Sequence, residues 1–197
     1  MEKQLIIALA REYGSGGRVI ASELAKKYGI KLYDSNLIEI VSKEKNGNFE
    51  QFKKYDEKAR NIFLSRTVND FSNSPEDVIA QMQFDYLKKQ AENGESFIVL
   101  GRCGSYVLRD YPNLIRIFIT GDMPQKIERI AKIENLDEQT AEKAVIKFNK
   151  RRKTYHNYYS KEKWGDSRYY DLTINTSKIG YDNTVDLIDQ YVQKRIK

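Results

Sequence analysis

Leu5-Ile6-Ile7-Ala8-Leu9-Ala10-Arg11-Glu12-Tyr13-Gly14-Ser15-Gly16-Gly17-Arg18 is the stretch on which the architecture of this chain turns. Its first six residues form a short, partly β-branched apolar run bounded by charge, the pattern of a buried strand. The glycine cluster follows at once. Ile20, Ala21, Leu24, Ala25 and Tyr28 then recur at helical spacing, and Gly29 supplies a stop. Residues 5–28 therefore read as strand, glycine turn and helix. Successive backbone N–H groups in such a turn, backed by the positive end of a helix dipole, can wrap an anion. Gly14, Ser15, Gly16 and Gly17 are the candidate cradle, with Arg11 and Arg18 placed to add charge-assisted hydrogen bonds to phosphate oxygens. The plain alternative is a tight turn without a ligand; the position between a first buried strand and an amphipathic helix favours the phosphate.

Outward from this stretch the same alternation repeats. Ile30 to Tyr33 reads as a second strand, with Asp34 and Ser35 as caps of the helix after it. Residues 49–72, mixed in charge and rich in aromatics, are expected to be helical. Ser74-Pro75-Glu76-Asp77 is a strong helix start: a capping serine, proline in the first turn and acids near the positive dipole end. That helix should run to about Glu92, with Gly94 ending it. Ser96 to Leu100, Leu114 to Thr120 and Asp171 to Asn175 are further strands, separated by a helix over about 124–134 and a basic helical stretch through Tyr159. A last helix puts Val185, Ile188, Val192 and Ile196 near one face. Nearly continuous apolar strands alternating with helices argue an α/β fold: a mostly parallel five-stranded sheet between two helical layers.

The 197 residues suit one domain, 1–197, of ordinary size or carrying a mobile insert, and can bury a core without metals or disulfides. A single cysteine, Cys103, allows no internal disulfide and fits a reducing compartment. The polar N-terminus is followed by too few apolar residues for a signal peptide core or a membrane span, so a cytoplasmic protein without membrane association is expected. Net charge is +6, which suits phosphate-bearing ligands and equally nucleic acid, so position has to decide between them.

Several segments in order along the chain resemble the cytidylate kinase-like family. They are Ala10 to Arg18, Tyr33-Asp34-Ser35, Val99-Leu100-Gly101-Arg102-Cys103, Asn149-Lys150-Arg151-Arg152, Tyr158-Tyr159, Lys163-Trp164-Gly165 and Tyr170 to Ser177. The resemblance implies a three-layer P-loop NTPase fold with a helical lid, about 126–163, and ATP-dependent transfer to a nucleoside monophosphate, with CMP or dCMP favoured. It further implies ATP phosphates on the glycine loop, Mg2+ as the accompanying metal, and acceptor binding by Asp34, Ser35 and Arg102. Small-molecule nucleotides are thus the expected partners.

The loop departs from the standard G-x-x-x-x-G-K-[ST] form: Gly17 stands in the lysine position and Arg18 in the hydroxyl position. Arg18 can replace the missing charge, but a guanidinium cannot ligate magnesium, and no residue is assigned as a metal ligand. Leu100 and Cys103 stand where cytidylate kinases carry acids, and Ile40 where they carry an arginine. In the basic segment Arg129, Arg151 and Arg152 are the candidates to stabilise the transferring phosphoryl group, since that reaction needs alignment and charge neutralisation above all. Arg151 and Arg152 point about 100° apart on a helix, so one of the two faces the site. Tyr155, Tyr158, Tyr159 and Trp164 read as packing, and His156 as an exposed lid residue. Three alternatives stay open: a kinase of another small acceptor, a catalytically silent nucleotide-binding module, and, ranked last for want of a binding motif, a nucleic-acid binder.

Overall fold

The computed structural model describes residues 4–44, 67–68, 71–72 and 74–196. Strand β1 (Ile6–Arg11) leads through the glycine turn into α1 (Gly17–Tyr28), which ends at Gly29 in the left-handed region. Then come β2 (Lys31–Tyr33), α2 (Leu37–Glu44), the two-residue strands β3 (Thr67–Val68) and β4 (Phe71–Ser72), and α3 (Pro75–Glu92). As its sequence predicts, Ser74 caps α3, its hydroxyl accepting from the Asp77 N–H at 3.2 Å. Strand β5 (Phe97–Leu100), the short α4 (Gly104–Val107) and β6 (Leu114–Thr120) follow. The chain ends in α5 (Met123–Glu134), α6 (Glu138–Tyr159), β7 (Leu172–Asn175) and α7 (Thr176–Arg195).

Five strands pair in the order β2-β5-β1-β6-β7, all parallel. Alternation along each strand sends side chains to two cores, which is why these strands read as unbroken apolar runs. On one face Ile6, Ala8, Phe97 and Val99 pack with Leu37 and Val41 of α2 and Leu87 of α3. On the other, Ile7, Leu9, Ile98 and Ile117 pack with Ile20 and Leu24 of α1 and Ile188 and Val192 of α7. The sheet is thus covered on both sides, the three-layer arrangement expected. Central β1 has β5 and β2 to one side and β6 and β7 to the other, so its carboxyl end opens at a crevice where the strand order switches.

Two expectations change here. Of the span 49–72 expected to be helical, Thr67–Val68 and Phe71–Ser72 instead form an antiparallel pair, where β-branched and aromatic residues favour extended backbone; the rest lies outside the described residues. His156 is buried, 5% exposed, because α6 lays its 155–156 flank against the protein while Arg151, Lys153 and Thr154 face outward. The lysine-rich composition of α6 hides that one inward turn. Tyr155 and Tyr159 do pack, with each other and with Phe84, and Trp164 packs edge-on to Phe118. No helix among the described residues is long and apolar enough to cross a membrane.

Candidate functional site

Four turns meet at the carboxyl edge of the sheet: those after β1, β2, β5 and β6. The turn after β1 is held on every side. Glu12 N–H donates to the Ile119 carbonyl at 2.9 Å, continuing the β1–β6 pairing. The Glu12 carboxylate accepts from Lys126 Nζ at 2.6 Å and Thr120 Oγ1 at 2.7 Å. Ser15 is buried, its hydroxyl donating to the Glu12 carbonyl at 2.8 Å while its own carbonyl accepts from Thr176 Oγ1 at 2.8 Å. Lys126, expected among the basic residues of the lid, is only 6% exposed and points inward to the loop instead, because its partner Glu12 lies there. That pair spans 114 positions, a separation that linear spacing does not signal.

The glycines answer to protein neighbours as well as to backbone. Gly14 and Gly16 have φ of 82° and 81°, where L side chains are strained. A Cβ on Gly16 would stand 2.2 Å from the ring of Tyr181, and one on Gly17 would stand 2.6 Å from Cβ of Arg11. Tyr181 is in turn fixed by Arg129, whose Nη1 donates to its hydroxyl at 2.7 Å and whose guanidinium carbon lies 4.6 Å above the ring centroid.

A cleft of about 440 Å³ opens beside this loop, within the ordinary range for a small-molecule site. Of the residues singled out from sequence, it is lined by Arg11, Gly14, Gly16, Gly17, Arg18, Asp34, Ser35, Arg129 and Arg152. Ser15 lies beneath the turn rather than in the lining, and Arg151 is exposed and lines neither this cleft nor the chamber behind it. Arg152 is thus the member of the pair that faces inward; its Nη1 donates to the Arg11 carbonyl at 3.2 Å and its guanidinium lies 5.4 Å from the Tyr13 ring centroid. Tyr13 was not singled out, yet it walls the cleft: its N–H donates to Asn149 Oδ1 at 2.7 Å and its ring stacks on Phe148. Its hydroxyl meets Glu134, and burial, then that contact, pushes its pKa up to about 12.

Asp34 joins the two halves of the site. Its carboxylate pairs with Arg18 Nε at 2.9 Å, and its carbonyl accepts from Arg102 Nη2 at 3.3 Å. Ahead of α2 the Asp34 carbonyl also accepts from the Leu37 N–H at 3.1 Å, and the Asn36 side chain folds back to accept from the Asp34 N–H at 2.7 Å. Arg102 is buried, 3% exposed, and lines a smaller chamber behind the cleft together with Arg11, Ser105, Arg152 and His156. Gly101, Arg102 and Cys103 all have positive φ, between 51° and 81°. Two non-glycine residues held there are locally strained, by about 1–3 kcal/mol each. That turn directs the Arg102 guanidinium toward the end of β2. Nε2 of His156 has no hydrogen-bond partner among the described residues, and burial lowers the imidazole pKa to about 4.

The polyphosphate of ATP fits this site: loop glycines, four arginines and a cleft of adequate volume converge. Among the described residues the loop itself offers magnesium no hydroxyl: Arg18 stands in that position, and the Glu12 carboxylate is held by Lys126.

Comparisons with known proteins bear on the fold and the family. A crystal structure of an uncharacterized protein from Eubacterium ventriosum is 37% identical, covers 96% of this chain and 99% of its own, and superposes with a TM-score of 0.77. Shikimate kinase from Acinetobacter baumannii, 13% identical over 98% of this chain and 95% of its own, has a TM-score of 0.56 and shares the fold. Cytidylate kinase of Pyrococcus horikoshii is 26% identical over 180 residues, 89% of this chain and 81% of its own. The model of the cytidylate kinase-like family matches residues 6–178, and the chain belongs to that family.

Proposed function

We propose that this protein transfers the γ-phosphoryl group of ATP to a nucleoside monophosphate, with CMP or dCMP the favoured acceptor. The observation that carries the reading is the single cleft into which Arg11, the loop glycines, Arg18, Asp34, Ser35, Arg129 and Arg152 converge from widely separated parts of the chain. Membership of a kinase family and the fold shared with small-molecule kinases support a phosphotransferase; the acceptor follows from the named cytidylate kinases at 26% identity and is the finer step.

Bound ATP supplies the phosphoryl group, which passes to an acceptor phosphate oxygen as the bond to the β-phosphate breaks and ADP departs. The loop amides hold the donor phosphates, with Arg11 and Arg18 flanking the turn. Asp34, Ser35 and Arg102 hold the acceptor, with the left-handed turn at Gly101 to Cys103 fixing the arginine. Arg129 and Arg152, on α5 and α6, neutralise charge developing on the transferred group and, as the walls of a lid, exclude water. The protein's part is alignment and electrostatics, which is what this chemistry requires.

A coupled ADP-release assay across CMP, dCMP, UMP and AMP tests the reading. Turnover with a pyrimidine monophosphate is expected. ATP binding without turnover of any of the four refutes the acceptor assignment. A second reading, a silent nucleotide-binding module, is favoured by the lysine and hydroxyl positions being Gly17 and Arg18. It predicts calorimetric ATP binding that is indifferent to magnesium and no phosphoryl transfer.

A further inference from the structure

The loop lacks the lysine that the form G-x-x-x-x-G-K carries at its seventh position, yet it has an arginine where that form has its first glycine. Counting from Arg11, the seventh residue is Gly17, so the cationic residue and the glycine have exchanged places. The structure gives this exchange a physical reason. A Cβ on Gly17 would lie 2.6 Å from Cβ and 3.0 Å from Cγ of Arg11, so the two side chains compete for one space. A Cβ at 17 and the Arg11 side chain cannot both hold the positions seen here.

We infer that Arg11 stands in for the missing lysine as the cationic ligand of the donor phosphates. Its backbone is rigid, because β1 pairs with β6 as far as Arg11 and Ile119 and because Arg152 donates to its carbonyl at 3.2 Å. Its side chain passes over Gly17 at the start of α1 and lines both the cleft and the chamber behind it. Arg18, the alternative from linear proximity, is placed for other work: its side chain is 75% exposed and pairs with Asp34 at 2.9 Å, on the acceptor half. A guanidinium also binds phosphate through a planar fork of donors rather than as a compact point charge. The inference rests on the donor half of the proposed function and is independent of which acceptor is used.

The test is a charge relocation read by ATP calorimetry and by ADP release. Arg11→Met keeps Cβ and Cγ against Gly17 but removes the charge; ATP affinity should fall ten- to a hundredfold. Gly17→Lys alone should fold poorly or bind weakly, since it collides with Arg11. Arg11→Gly/Gly17→Lys moves the cation to its usual position and should recover ATP affinity to within about fivefold of the parent. Arg18→Met should lower ATP affinity less than Arg11→Met does. The inference is overturned if Arg11→Met binds ATP like the parent, if Arg18→Met loses more affinity than Arg11→Met, or if the double variant melts like the parent yet binds no better than Arg11→Met. A parent protein that binds ATP through Arg11 but turns over no monophosphate leaves the inference standing and removes the acceptor reading. A parent that does not bind ATP removes both.

Discussion

Gly16→Ala puts a methyl group where the ring of Tyr181 already stands. The new Cβ would lie 2.2 Å from Cε1, 2.7 Å from Cζ and 2.8 Å from Cδ1 of that ring, against the roughly 3.5 Å that carbon atoms require. The ring cannot turn aside without giving up the 2.7 Å hydrogen bond from Arg129 and the guanidinium stacked 4.6 Å above it. Two penalties therefore combine. Holding alanine at φ near 81° costs about 1–2 kcal/mol, and overpacking against Tyr181 adds about 1–3 kcal/mol. Gly29→Ala isolates the first penalty, because Gly29 is also left-handed, with φ of 62°, but a Cβ there meets nothing within 4 Å.

Thermal unfolding followed by circular dichroism separates the two. Each kcal/mol moves the midpoint of a chain this size by about 2–4 °C, so Gly16→Ala should melt well below Gly29→Ala. Adding Tyr181→Ala removes the collision, and the double variant should lose less stability than the single losses added together, by about 1–3 kcal/mol. Equal midpoints for Gly16→Ala and Gly29→Ala, or strict additivity with Tyr181→Ala, would refute the claim that this glycine is demanded by packing.

Three further outcomes follow from the same geometry. Lys126→Met strands the partly buried Glu12 carboxylate and should cost about 3 kcal/mol in urea unfolding, part of it restored by Glu12→Gln in the same chain. His156 has a folded pKa of about 4 against about 6.5 when unfolded, so the unfolded chain takes up the proton first and stability falls as pH drops from about 6.5 toward 4. The loss approaches about 3 kcal/mol, the other charged groups of its chamber being arginines of constant charge; His156→Asn should flatten that limb of the urea midpoint against pH. In the ADP-release assay Arg152→Ala should lower kcat by about 10²–10³, whereas Arg151→Ala, outside the cleft, should stay within about threefold of the parent.

The sheet was legible because its strands are buried on both faces and so write themselves as apolar runs: Ile6 to Ala10, Phe97 to Leu100, Leu114 to Thr120. The turns at the carboxyl ends were legible because glycine punctuates them. What could not be read was which side chains hold those turns. Lys126 looked like one more lysine of a basic segment, and only the fold brings it within 2.6 Å of Glu12. Tyr181 gave no signal either, since its value lies in a ring fitted against a glycine 165 positions earlier (181 less 16). His156 was misplaced because a helix rich in exposed charge conceals a single inward turn, and burial is a property of the neighbours across the gap. The Arg151-Arg152 pair shows the limit from the other side: helical geometry says that one of them faces the site, and tertiary placement says which.

Under the proposed function, those hidden neighbours bear on how a loop without its lysine would hold phosphate. Lys126 abuts Gly14 with its backbone and Cβ, Tyr181 abuts Gly16 with its ring, and Arg11 abuts Gly17 with its side chain, so each glycine is closely covered by another residue. A loop gripped at three points keeps its amides in place before any ligand arrives. Binding then pays little to order them, and their dipoles need not reorganise as charge shifts during transfer. In a standard loop one lysine contributes both the charge and a contact with the phosphates. Under the proposed function the arginines around the cleft would supply both, while packing by Lys126 and Tyr181 fixes the loop. Loosening the packing and removing the charge should therefore weaken donor binding by separate routes, and combining Tyr181→Ala with Arg11→Met should give losses of ATP affinity that multiply.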